Sequence, residues 1–275
     1  MRRSVNTILL VTLALAASTT GCGGDGNASG PTTLDAARTT TSTNTPARGL
    51  VVLVSNDDGV HAEGIDQLTR ALSGRADVSR VVIVAPAENQ SGKGDSTTPS
   101  PTATDTATAG GLAAVAVKGT PADSVVYGLD TVLAGTPPDL VMSGVNLGQN
   151  LGPVLSISGT VGAARAAARR GLPAVAISQG LPAGGTEIDY SAAVQAAMAW
   201  LDEHAGSLQK ATVANINAPS CASGKVRGTV EEPPALSPTD RALVAGVDCT
   251  SSATGTDDVT SFNAGFIVVS DVGLG

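Results

Sequence analysis

Asp57 and Asp58 stand side by side, directly after the apolar run Leu50–Val54 and directly before Gly59. Adjacent carboxylates repel, so keeping both charges calls for a reason. One reason is a divalent cation, which neutralises the pair. The other is structural: a capping carboxylate in an Asp-Gly turn. If Leu50–Val54 is a strand of an open parallel sheet, ligands bind beyond its carboxyl end. There the chain places Asn56, Asp57, Asp58 and Gly59. Beyond the next strand come Glu88, Asn89, Gln90, Ser91 and Gly92, and beyond a third come Ser143, Gly144, Asn146 and Gly148. These residues offer oxygen. No cysteine and no histidine cluster joins them, and His61 stands alone. Oxygen donors without nitrogen or sulfur suit Mg²⁺, Mn²⁺ or Ca²⁺ rather than Zn²⁺.

A second stretch adds an anion site. Ser158, Gly159 and Thr160 open an alanine-rich helix, where free backbone N–H groups and hydroxyls receive negative charge. An ordinary serine cap explains the same residues. A metal site and an anion site on one rim point to phosphate chemistry. Gly119 to Asp123 ("GTPAD") either shapes this pocket or starts a helix capped by Thr120 with Pro121 in its first turn; the two readings are compatible.

The elements that must position these groups alternate in type. "LVVLVSND", "RVVIVAP", "GLAAVAVKGT", "PDLVMSGVN", "PAVAISQ", "ATVANINAP" and "AGFIVVSDV" read as strands. "AEGIDQLTRALSG" reads as a helix with Ile65, Leu68 and Leu72 on one face and Gly74 as its stop. "TPADSVVYGLDTVLAG" and "SGTVGAARAAARRG" are further helices, and "DYSAAVQAAMAWLDEHAG" is another, capped by Asp189 or Ser191. Continuous Val/Ile runs between helices mean a mostly parallel α/β sheet covered on both faces. The Ser/Thr/Pro/Ala stretch from Gly92 to Gly111 lacks periodicity and is a loop or a weak excursion from the sheet.

The chain has 275 residues, 42% of them hydrophobic but only 2% aromatic, so its core is built from Ala, Val, Leu and Ile. The net charge is −8 and no basic run appears, which disfavours a nucleic-acid polymer as partner. Arg2 and Arg3, the apolar stretch Ile8–Ala17 and the small residues after it form an export signal too short for a confident membrane span. Gly21-Cys22 resembles a lipoprotein cleavage site with Cys22 as the lipidated residue; the alternative is a plain secretory signal. The expectation is an exported, outward-facing lipoprotein that touches the membrane only through its lipid. Residues 1–22 are then the signal segment, 23–48 a disordered Gly/Ser/Thr/Asn/Pro tether reaching about 25–30 Å, and 49–275 the folded domain. Cys221 and Cys249 are free to pair in an oxidising compartment; otherwise they are two separate buried thiols.

Five segments then occur in a telling order: "VSNDDGVHAEGI", "VVIVAPAENQSG", "VKGTPADSVVYGL", "PDLVMSGVNLGQNLG" and "SISGTVGAARAAARRGLPAVAIS". Together they resemble the SurE family of metal-dependent survival-protein phosphatases, which act as 5'/3'-nucleotidases. The late "GTDDVTSFNAGFIVVSD" is similar to that family's closing segment. The resemblance covers roughly Leu50 to Ser270. It implies a Rossmann-like α/β fold with a smaller C-terminal excursion. It implies one divalent cation, Mg²⁺ or Mn²⁺, on Asp57, Asp58, Ser91 and Asn146, with Ser96 a competitor for Ser91. Asn56, Ser143, Gly144, Ser158, Gly159 and Thr160 match positions lining the phosphate pocket. The implied reaction is hydrolysis of a small phosphomonoester, with Asp57 or Asp58 as general base, in a homodimer.

This chain departs from that pattern in places. Glu63 stands where the family commonly has proline, Ser220 to Asp257 matches weakly, and the family's oligomer-forming tail is missing beyond Gly275. A rival reading is a surface-anchored metal- and phosphate-binding module that has lost turnover. A receiver-type domain would carry a lone aspartate after its third strand, and none follows in the expected place here. A haloacid-dehalogenase-type site needs Asp-x-Asp, whereas Asp57 and Asp58 are adjacent.

Overall fold

The computed structural model describes residues 48–182, 184, 187–237 and 246–275; the signal segment, the tether and Cys22 lie outside the described residues. Nine strands form one sheet: β1 (Leu50–Ser55), β2 (Val78–Pro86), β3 (Thr102–Ala107), β4 (Ala113–Lys118), β5 (Leu140–Leu147), β6 (Ala174–Gln179), β7 (Val213–Ala218), β8 (Thr229–Glu231) and β9 (Ile267–Asp271). Their order across the sheet is β3-β4-β2-β1-β5-β6-β7-β9-β8. The central strands β4, β2, β1, β5, β6 and β7 are parallel. In sequence order they run 3-2-1-4-5-6, the doubly wound order whose direction reverses between the first and fourth strands. Here that reversal lies between β1 and β5.

Each face of the sheet has its own apolar layer. On one face α1 (Glu63–Ser73) presents Ile65, Leu68 and Leu72, all fully buried beside Ala193, Ala197 and Leu201 of α4 (Ser191–His204). On the other, α2 (Pro121–Tyr127) and α3 (Gly159–Ala168) pack Ala122, Val125, Val161 and a run of buried alanines against Leu53, Val84 and Val141. Alanine-rich α3 can lie close to the strands because its side chains are short. A third, smaller cluster joins Leu151, Ala235, Val259 and Phe262 to Val268 of β9, with α5 (Asp258–Asn263) at its centre. This is the C-terminal excursion, and it extends the main sheet.

Four details refine the sequence reading. The aperiodic stretch after Gly92 contains β3, antiparallel to β4 at the sheet edge. It is mostly exposed on both faces, so no hydrophobic alternation marks it. The second helix ends at Tyr127 and continues as a wider π-helical turn, Gly128–Val132. The start of α4 has Tyr190 at the cap without a side-chain bond, while the Asp189 carboxylate accepts the Ser191 N–H at 2.8 Å. Three-residue β8 has too little length to show a period. Cys221 and Cys249 are bonded, with Cα atoms 5.7 Å apart. No helix among the described residues is long and apolar enough to cross a membrane.

Candidate metal and phosphate site

The loops after β1, β2 and β5 meet the first turn of α3 around a cavity of about 180 Å³. Asp57, Ser91, Asn146, Asn150 and Ser158 line it. The cavity sits at the reversal between β1 and β5, and next to it the β5–β6 register shifts between Ser143 and Asn146.

Asp57 is 3% exposed. Its Oδ1 accepts the Thr160 hydroxyl at 2.7 Å, and its carbonyl accepts the Gln90 N–H at 2.7 Å, which ties the β1 loop to the β2 loop. Burial pushes its carboxyl above the usual range, against the lowering pull of the Thr160 hydrogen bond. Asp58 accepts the Leu147 backbone N–H on Oδ2 at 2.9 Å and the Asn89 amide on Oδ1 at 3.3 Å. Its pKa is pushed up from 3.8 to about 6, first by burial; the Asp57 charge adds to this and the Leu147 hydrogen bond opposes it. Among the described residues no lysine or arginine forms an ion pair with either. Asp58 is half-buried and lies beside the cavity rather than in its lining; two adjacent like charges, one buried and one half-buried, without a cation are an uncompensated arrangement. The neighbouring donors are all oxygen, so the set fits a hard divalent cation.

The other sequence-selected residues fall into two groups. Ser91 and Asn146 line the cavity with Asp57; the Asn146 amide nitrogen is turned to the Gly148 carbonyl at 2.5 Å. Ser96 instead donates to the Lys93 carbonyl at 2.6 Å and does not line the cavity. Ser158 lines it while its hydroxyl caps α3 through the Val161 N–H. Thr160 is fully buried and meets the cavity through two of its lining residues, Asp57 and Asn150. Gly159 is needed for proximity, since a Cβ there would lie 2.8 Å from the Asp57 Cβ.

Asn56, Ser143 and Gly144 do not line the cavity. Both ends of the Asn56 amide bond Gly59, closing the turn that presents the two aspartates. Ser143 is fully buried between strands, opposite Ser55. Gly144 has φ +143° and backs onto the Ile177 carbonyl, which a Cβ would approach to 2.4 Å. The Thr120-Asp123 loop is a reciprocal capping box, and the Thr120 hydroxyl donates to the Ser96 carbonyl at 2.6 Å. It is therefore a helix start that also anchors the loop after Ser91.

Asn150 was not singled out from the sequence, yet it is the hub of a buried polar network. Its amide nitrogen donates to Thr160 and Ser178, its N–H to Asn217, and its carbonyl accepts from Asn215 and Asn217. The signal was present in "VANINAP", where two asparagines share one face of an otherwise apolar strand.

The family model for survival protein SurE matches residues 52–233. The 5'-nucleotidase SurE of Methylocella silvestris is 38% identical over 181 residues, covering 64% of this chain and 69% of that protein. Its counterpart in Aliivibrio fischeri is 39% identical over 186 residues, 67% and 68% of the two chains. That of Methanopyrus kandleri is 41% identical over 142 residues, 51% and 53%. The match thus spans about half the length of the Methanopyrus relative and about two thirds of the other two. The crystal structure of the SurE protein from Aquifex aeolicus is similar with a TM-score of 0.66 at 27% identity, covering 82% of this chain and 94% of that one.

Proposed function

This chain belongs to the SurE family, and on that premise we propose that it is a divalent-metal-dependent phosphomonoesterase acting as a 5'-nucleotidase. The observation that carries the reading is the adjacent carboxylates of buried Asp57, which lines the small cavity at the β1/β5 reversal, and half-buried Asp58 beside it, both raised in pKa and without a cationic partner among the described residues. Asp57, Asp58, Ser91 and Asn146 would hold one Mg²⁺ or Mn²⁺. When bound, the ion polarises the phosphoryl group and acidifies water.

The chain's own residues do the rest. Thr160 and the Leu147 N–H fix the two carboxylates in orientation. Ser158 and the first turn of α3 face the phosphoryl oxygens and stabilise their charge. One carboxylate of the pair takes the proton of the attacking water as the water oxygen bonds phosphorus and the ester P–O bond breaks. That proton then passes to the departing ester oxygen, which leaves as the alcohol through the open mouth. In this reading the enzyme is exported, anchored through Cys22 on the 23–48 tether, and releases phosphate from external nucleotides as a homodimer. The support for export is the sequence of residues 2–22.

Full-length protein stripped with chelator should be inactive on p-nitrophenyl phosphate and nucleoside 5'-monophosphates. Mn²⁺ or Mg²⁺ should restore hydrolysis, and Asp58→Asn should abolish it. A folded, metal-loaded protein that hydrolyses none of these is a binding module instead. For the anchor, labelling with radioactive palmitate should vanish in Cys22→Ala; labelling that persists removes Cys22 as the lipid site.

A further inference from the structure

A second cavity lies at the other end of the same strands. It has about 530 Å³, inside the range of pockets that enclose small ligands, roughly 300–1,000 Å³. Ala174 and Ala214, at the starts of β6 and β7, line it. The crevice residues Gly148 and Asn150 are bonded instead to Gln179 and Asn217, near the carboxyl ends of β6 and β7. A six-residue strand such as β6 spans roughly 15–20 Å, and the two cavities share no lining residue. A ligand in the second cavity is therefore no part of the phosphoryl site, and the inference below stands apart from the phosphomonoesterase reading.

One wall is aromatic. Trp200 and His204, a turn apart on α4, both line the cavity and stack with ring centroids 4.4 Å apart and planes within 7° of parallel. The His204 Nδ1 lies 2.8 Å from the Trp200 carbonyl. A carbonyl only accepts, so Nδ1 carries the proton, and Nε2 of the neutral ring is left to accept. Pro173, Pro233 and Pro234 add rigid apolar surface.

The remaining charge is negative. Glu231 ends β8, Glu232 follows it and Asp271 ends β9. Register sets Glu231 beside Val269 and Asp271 beside Ala214, and Val269 and Ala214 pack into the apolar layer that α4 covers. Residues paired across strands share a face, so both carboxylates stand on the side of Trp200. Among the described residues none of the three acids accepts a hydrogen bond or forms an ion pair through its side chain. No lysine or arginine lines the cavity. Nor do any three His, Cys, Asp or Glu side chains among the described residues converge as metal ligands do. The positive charge that suits this space is therefore carried by a body that fills it, and an anionic ligand is repelled.

We propose that this cavity is a binding site for a small organic ammonium ion, with its apolar body against Trp200 and the prolines and its N–H groups on Glu231 and Asp271. An indole is the best aromatic neighbour for a cation, and ammonium–carboxylate hydrogen bonds are the strong, charge-assisted kind. Trp200 is the chain's one tryptophan, so its emission reports this cavity directly. The test titrates full-length, Mg²⁺-loaded protein with phenethylamine, which is protonated at neutral pH. 2-Phenylethanol supplies the same body without charge, and 3-phenylpropionate supplies an anion. Phenethylamine should shift the Trp200 emission saturably, 2-phenylethanol should bind at least about fivefold more weakly, and 3-phenylpropionate should leave the emission unchanged. The Glu231→Gln/Asp271→Asn double variant should weaken phenethylamine by about fivefold or more and leave 2-phenylethanol as it was. Asp58→Asn should bind phenethylamine as the native protein does.

No saturable emission change with phenethylamine overturns the site. Equal affinity for the amine and the alcohol leaves a bare apolar pocket and overturns the ammonium. Full affinity for the amine in the folded double variant does the same. Weakened binding in Asp58→Asn puts the ammonium in the crevice and overturns the site as well. The amine–alcohol comparison needs only the native protein, so it decides the proposal even where the double variant fails to fold.

Discussion

The β1/β5 crevice and the C-terminal excursion each bury acidic groups, and they treat them in opposite ways. In the excursion Asp258 is fully buried and each of its oxygens accepts a backbone N–H, Gly152 at 2.7 Å and Ala235 at 2.8 Å. Burial raises its pKa while those same hydrogen bonds lower it. In the crevice Asp57 and Asp58 are adjacent, burial raises both, and only part of their accepting capacity is used by protein donors. A carboxylate bonded at both oxygens acts as a bracket. Here Asp258 fastens the excursion, through the Gly152 N–H, to the segment after β5 that carries Asn150. On the proposed reading the Asp57–Asp58 pair is a cation site, because its desolvation cost is recovered only when positive charge arrives.

The sharpest way to break this comparison is to neutralise one acid in each region. Asp57→Asn should reduce kcat/KM by at least about a thousandfold, on the scale seen when a group acting in the transition state is removed, with the folded state intact by circular dichroism. Asp258→Ala should do the reverse. It leaves two buried N–H groups without acceptors, at about 1–3 kcal/mol each, so urea unfolding should show a loss of roughly 2–6 kcal/mol. An Asp258→Ala protein of native stability would remove the bracket.

The disulfide sharpens the contrast on the excursion side. It closes a segment with sequence separation 28, which by loop-closure entropy contributes about 3–4 kcal/mol. The Cys221→Ser/Cys249→Ser double variant should lose about that much stability in denaturant titrations. Its crevice should remain able to bind Mn²⁺, measured by calorimetry. Loss of metal binding in that variant would show that the two regions are one unit.

The smallest effect expected is on pH dependence. Burial pushes the Asp58 carboxyl from an ordinary 3.8 up to about 6, so the folded chain holds its proton more tightly than the unfolded chain. That contribution favours folding below about pH 4 and is lost as pH rises through about 6, roughly 2–3 kcal/mol in all. Chelated protein should therefore melt several degrees higher at pH 5 than at pH 7.5. Asp58→Asn should flatten the difference, and Mn²⁺ at pH 7.5 should restore the lost stability. Equal melting of the chelated native protein at both pH values would mean that the pair bears no uncompensated charge.

The architecture was largely legible because its signals are local and strong. Ile65, Leu68 and Leu72 repeat at helical spacing, and the runs at Leu50 and Leu140 are apolar over the length of a buried strand. Edge strand β3 and short β8 were not legible, since an exposed or three-residue strand has no face to alternate. Within the site, the Asp-Asp pair, Ser91, Asn146 and Ser158 could be named from types and order. The inward turn of Ser143 and Gly144 could not, because it follows from how β5 and β6 shift register. The role of Asn56 lies in between: an Asx residue before an Asp-Asp-Gly turn announces a turn, but only the two bonds to Gly59 show that the turn consumes its amide.

The sequence by itself determined which residues carry oxygen at the strand ends, which segments bury apolar faces, and the five ordered motifs. Those properties belong to single residues and short periods. Only the tertiary structure decided that β1 and β5 are neighbours, that Thr160 reaches across from α3 to Asp57, and that Asn150 gathers four other side chains beneath the loop. Such facts join positions far apart in the chain. They are set by how helices and strands pack together, and packing leaves no periodic trace in the sequence.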